Sequence, residues 1–209
     1  MRTFASAIDW PGWSRSGKTV PGALEALLAY ADRYRRVATL AEVSFPSGEV
    51  EVEVFETASG GVGTEFGVPS RVTEADRRST TTAEGDRLAR LVDAAWQRLD
   101  EVAAGAPEEL RKGPRGGGRN TSKIVSHALE ADGAYAREIG LKLPAAAVGD
   151  RAAIRVFRDA ILDVLRRPSN GSPIADRRWT ARYAAHRIAW HSLDHAWEIE
   201  DRWAPADPS

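Results

Sequence analysis

Cysteine is absent from the 209 residues of this chain. That excludes disulfides, thiolate metal sites and a cysteine nucleophile, and leaves histidine and carboxylate as the strong metal ligands. Any thiol chemistry would need an external thiol. Neither sign of charge is in excess, with 29 basic against 30 acidic side chains, so no general attraction to nucleic acid or to an anionic membrane follows. Lysine is scarce, supplying four of the 29 basic residues, and this arginine preference reads as coding bias rather than as a functional surface. No stretch approaches the ~18 apolar residues of a membrane span. Met1-Arg2-Thr3-Phe4 opens no long apolar signal-peptide core. A cytoplasmic location is the expectation.

What is present, with 43% hydrophobic content, suits a globular chain of one or two domains. The fold class expected is α+β, with a small unit over residues 1–72 and a helical bundle over 80–204. A short strand is predicted over Thr3 to Asp9, then a Pro11-Gly12 turn, then a helix capped by Thr19 with Pro21 in its first turn. Leu24, Leu27, Leu28 and Ala31 carry that helix to about Arg36. From Glu49 to Glu56 glutamate alternates with valine, which predicts a half-solvated antiparallel strand. Another short strand is predicted for Gly63 to Phe66 after the Gly60-Gly61 turn.

Beyond a polar connection from Gly67 to Thr82 the period changes to 3.6. Leu88, Leu91, Val92, Ala95, Leu99 and Val102 mark one helix. A second starts at the Asn120 cap and carries Ile124, His127, Ala128, Ala131 and Tyr135 on one face. Ile154, Phe157, Ile161 and Leu165 mark a third, and the fourth runs from about Asp176 to Arg202. Four such helices with moderately short loops predict a bundle.

Gly12-Trp13-Ser14-Arg15-Ser16-Gly17-Lys18-Thr19 fits the phosphate-binding pattern G-x-x-x-x-G-K-[ST] between a predicted strand and a predicted helix. A nucleoside triphosphatase also needs a parallel sheet and an acidic strand end for magnesium. The next strand here is of antiparallel type, and no apolar run ending in Asp follows. The segment therefore reads as a glycine-containing hairpin leading into a helix. Asp9-Trp10-Pro11-Gly12, Gly17, Thr19 and Ala23-Leu24 resemble the opening of HicB-like domains, which implies a small α+β unit over about forty residues. The glycine-rich loop Gly113-Pro114-Arg115-Gly116-Gly117-Gly118, with Arg119 after it, reads as a solvated connection rather than an RNA contact. Trp179, Trp190, Trp197 and Trp203 crowd the last helix and read as core or interface packing, which would suit a homodimer.

Histidine is also scarce, which makes its placement informative. His191 and His195 lie one helical turn apart on an apolar face continued by Ala184, Ile188 and Ile199. Buried imidazoles need partners, and a divalent ion satisfies several at once. His127 points to the apolar side of its own helix. His186 lies about 100 degrees or more around the last helix from the pair and reads as non-ligating.

Lys123-Ile124-Val125-Ser126-His127 and Trp190-His191-Ser192-Leu193-Asp194-His195-Ala196-Trp197-Glu198 resemble the DinB-like four-helix-bundle superfamily, from about Thr81 to Trp203. That superfamily includes YfiT-like hydrolases and mycothiol-dependent maleylpyruvate isomerase. The resemblance implies a divalent metal (zinc, nickel or iron) held by His127, His191 and His195, with a coordination position open to water or substrate. Glu198 and Glu130, each one turn beyond a ligand, are candidates to fix an imidazole tautomer or to act as acid or base. Asp194 is expected in solvent, or paired with Arg187 or Arg202.

The function expected is a metal-dependent enzyme that activates water or an external thiol such as mycothiol for transfer, isomerisation or hydrolysis of a small molecule. Arg182, Tyr183 and Arg187 are candidates to hold that cosubstrate by their proximity to the last helix. Neither nucleic acid nor membrane is an expected partner. The alternative is a non-catalytic binding protein, its bundle stabilised by metal and its HicB-like unit serving as a docking surface.

Overall fold

The structure, a computed structural model, describes residues 2–112, 118–144 and 146–203. The chain opens with two antiparallel strands, β1 (Thr3–Ser6) and β2 (Ser14–Gly17), in the register Thr3↔Gly17 to Ser6↔Ser14. At their turn Gly12 has φ +90, and a Cβ there would lie 2.8 Å from Leu193 Cδ1 and 2.9 Å from Ala189. Only glycine allows the turn to press this closely on the last helix. Because β2 lies inside the Gly12–Thr19 segment, that segment is in part an extended strand paired with β1 rather than a loop that cradles phosphate.

Helix α1 (Val20–Leu28) starts as predicted, with Thr19 Oγ1 accepting from Gly22 N at 3.2 Å. The expected single helix to Arg36 is instead two. Trp13 Nε1 donates to the Leu27 carbonyl at 2.9 Å, and Tyr30 N bonds the same oxygen, so the i→i−4 ladder is interrupted there. The chain resumes as α2 (Ala31–Leu40).

The Glu/Val segment is not a strand, since residues 51–61 form neither helix nor sheet. Val50 packs on the core, whereas Val52 is 40% exposed, Val54 52% and Phe55 64%. Alternation makes a segment fit for a sheet, but without a paired neighbour no ladder forms. The strand predicted for Gly63 to Phe66 is instead the single helical turn α3 (Val62–Glu65), in which Thr64 Oγ1 accepts from Gly61 N.

Four long helices follow: α4 (Thr82–Gly105), α5 (Thr121–Glu138), α6 (Arg151–Leu165) and α7 (Ala181–Trp203). Side chains cap the first three, Thr81 with Glu84 in a reciprocal capping box, Asn120 onto Lys123 N and Asp150 onto Ala153 N. The last helix begins at Ala181 rather than Asp176, after a 3-10 turn at Ile174–Asp176. Its longest contact is with α4, while α6 packs on α4 and α5 on α7. Among the described residues the chain is thus mixed α+β, helices with one small antiparallel sheet.

The main core joins Trp13, Tyr34 and Val37 of the N-terminal segment to Leu88, Trp96, Ile188 and Trp197 of the bundle. Each such side chain contributes about 1.5–3 kcal/mol by leaving water. A smaller cluster of Leu99, Val102, Ile124, Ala128, Ala196 and Ile199 locks α5 to α4 and α7. Most of the glycine-rich loop, residues 113–117, lies outside the described residues. No helix among them is long and apolar enough to cross a membrane.

Candidate metal centre

Packing of Ile124 and Ala128 on Ala196 and Ile199 brings α5 against α7 at the level of the histidines. His127 faces His191 at 5.1 Å and His195 at 5.2 Å between ring centroids, and the latter two rings are 4.6 Å apart. One nitrogen from each ring lies within 4.8 Å of the others, close enough to hold a metal ion. Four-coordinate zinc with bonds of about 2.1 Å needs nitrogens roughly 3.4 Å apart, within reach of small side-chain rotations.

The environment favours the neutral, lone-pair form that a metal requires. Burial is the main reason the His191 pKa is pushed down to about 2, aided by His195, Arg187 and His127. His127 is also held below its ordinary range, first by partial burial and then by Arg119 and His195. His191 Nδ1 is buried without a hydrogen-bond partner among the described residues, an orphan of the kind a ligand resolves. His127 is only half-buried, which leaves the cluster a solvent side.

His195 Nδ1 lies 3.0 Å from Glu198 Oε2. The Glu198 carboxyl is held below its usual range by that contact and by Arg202, which donates from Nη1 to Oε1 at 2.8 Å. An ionised carboxylate only accepts, so Nδ1 carries a proton and Nε2 is the ring atom left to face a metal. Arg202 is in turn fixed, its Nε donating to the Arg111 carbonyl at 2.7 Å while Arg111 N donates to the Arg202 carbonyl at 3.2 Å. A chain of polar contacts thus runs from the loop after α4 to the ring of His195. Glu130 stands apart from it, exposed on α5 with Ser126 Oγ donating to it at 3.4 Å.

Other residues singled out from the sequence lie elsewhere. Asp194 pairs with neither Arg187 nor Arg202; it accepts from Arg15 Nη1 of β2 at 2.9 Å, because the hairpin lies over that face of α7. His186 joins no histidine cluster, and its Nε2 meets the Ile8 carbonyl at 2.9 Å. Arg182 is occupied by Glu84 at 2.8 Å and by the Ser79 carbonyl. Tyr135, placed by its spacing on the apolar face of α5, also belongs to the site, its ring packed edge-on to His191 at 5.6 Å. Its place two turns beyond His127 on one stripe was the available signal. No protein-family model, curated protein or solved structure matches this chain.

Proposed function

We propose that His127, His191 and His195 hold a divalent metal, zinc, nickel or iron, in an enzyme of the DinB/YfiT type that acts on a small molecule with water or an external thiol such as mycothiol. The observation carrying this reading is the convergence of one nitrogen from each of three imidazoles, on two helices, within 4.8 Å. On the same reading the four long helices are a DinB-like bundle and the segment before them a HicB-like unit. When bound, the ion would supply Lewis acidity that lowers the pKa of a coordinated water or thiol. Glu198 is the positioning residue, keeping the proton on His195 Nδ1 and the ring fixed, and Arg202 keeps that carboxylate ionised. The half-buried edge at His127 gives a small molecule its approach.

Elemental mass spectrometry of untagged protein tests the site. Near-stoichiometric zinc, nickel or iron is expected, falling more than about tenfold in His191→Ala and in the less buried His127→Ala. A parent that carries no metal and takes up neither added zinc nor nickel would sink the proposal. Thiol-dependent turnover by the parent, absent in His195→Ala, would separate the enzyme from a bundle merely stabilised by metal.

A further inference from the structure

A cleft of about 1000 Å³ lies between the β1–β2 hairpin, α1, the extended segment 51–61 and α7. Its volume is in the range of small-molecule sites, about 300–1000 Å³. None of the three clustered histidines lines it. Phe4, Leu24, Leu27, Val52, Val54 and Trp190 give the wall a largely apolar character.

The polar groups in that wall are mostly satisfied or solvated. Asp76 accepts from Thr73 N and Oγ1, Glu56 accepts from the N–H groups of Glu74 and Ala75, and His186 meets the Ile8 carbonyl. Asp9, Glu51, Glu53, Arg2 and Arg71 are exposed.

Arg187 differs. It is half-buried in the cleft wall, its guanidinium carbon 4.7 Å over the Trp190 ring and 5.2 Å over the Tyr135 ring. Nη1 is buried without a partner, and Arg187 makes no hydrogen bond or ion pair among the described residues. Stacking on two rings returns only part of the cost of desolvating a cation. The planar fork of donors suits a carboxylate or a similar oxyanion.

We propose that this cleft binds an amphipathic organic anion, its charged group on Arg187 and its apolar body along Leu24, Leu27 and Val54. Tyr135 lies beneath Arg187 and against His191, so the anchored charge sits one ring away from the imidazole cluster. The proposal rests on the cleft and stands without the metal.

Calorimetric titration of the full chain with octanoate, 1-octanol and octylammonium tests it. Octanoate is expected to bind about tenfold or more tighter than 1-octanol, as one charge-assisted hydrogen-bond pair allows, and octylammonium weakest. Arg187→Met should abolish the preference for octanoate over 1-octanol without changing bound metal, and Arg187→Lys should keep part of it. Equal binding of octanoate and 1-octanol by the parent, no binding of either, or a preference that survives in Arg187→Met would overturn it. Should Arg187→Met not fold, the parent's octanoate to 1-octanol ratio still decides the matter.

Discussion

Two buried polar regions share α5, and they are built differently. In one, three imidazoles from two helices converge, one ring is braced by the Glu198–Arg202 contact, and a solvent side remains at His127. In the other, the carboxyl of Asp132 is 1% exposed, and among the described residues neither oxygen has a hydrogen-bond partner. Trp96 of α4 and Arg158 of α6 lie near it, but Arg158 is bonded to Asp100. Burial pushes the Asp132 pKa up to about 7, with Arg158 and the nearby Trp96 indole opposing the rise and Asp100 reinforcing it. Lone pairs that converge make a place for a ligand, whereas a buried carboxyl without a hydrogen bond is a cost to the fold.

The largest effect expected is the loss of metal in His191→Ala, against a parent-like metal content in Asp132→Asn. Equal metal loss in both variants would erase the distinction.

Stability gives the next largest effect. The folded pKa of Asp132 lies above the ordinary carboxylate value, so the folded state keeps a proton that the unfolded chain releases, and its contribution to stability falls as pH rises from about 4 to about 7. Asp132→Asn should therefore stabilise the protein by roughly 2–4 kcal/mol at pH 8 and hardly at all below pH 4, measured by urea unfolding. Destabilisation at pH 8 would mean that the carboxylate is wanted where it is.

Glu198→Gln sharpens the comparison from the other side. Removing the charge that orients His195 should weaken metal affinity by about 10–100-fold in chelator competition, with unfolding changed little. Unaltered affinity would reduce Glu198 to a surface brace. The smallest effect belongs to the Arg15–Asp194 pair, outside both regions and partly exposed. A double-mutant cycle should give less than about 1 kcal/mol of coupling.

Much of the bundle was legible because helices announce themselves locally. The Asn120 cap and the apolar stripes placed α4, α5 and α6 closely, and the Thr19 cap placed the start of α1 but not its end. The Glu/Val segment misled for the converse reason, since a strand depends on a neighbour that the segment does not itself encode. The break at Ala29–Tyr30 came from the indole of Trp13, distant from it in the chain. Asp132 carries a sequence signal, a charge one turn from Ala128 on an apolar face, but spacing alone does not say whether such a charge is buried.

The sequence by itself determined that no thiol ligand exists, where the long helices run, and that His191 and His195 share one face, since helical geometry repeats every 3.6 residues. Tertiary structure alone decided which side chains met across elements. It set His127 against that pair, gave Asp194 to Arg15, and left Arg187 in the wall of a cleft with no ion-pair partner among the described residues. Those contacts arise from burying apolar faces together, a condition on the whole chain that no local spacing contains.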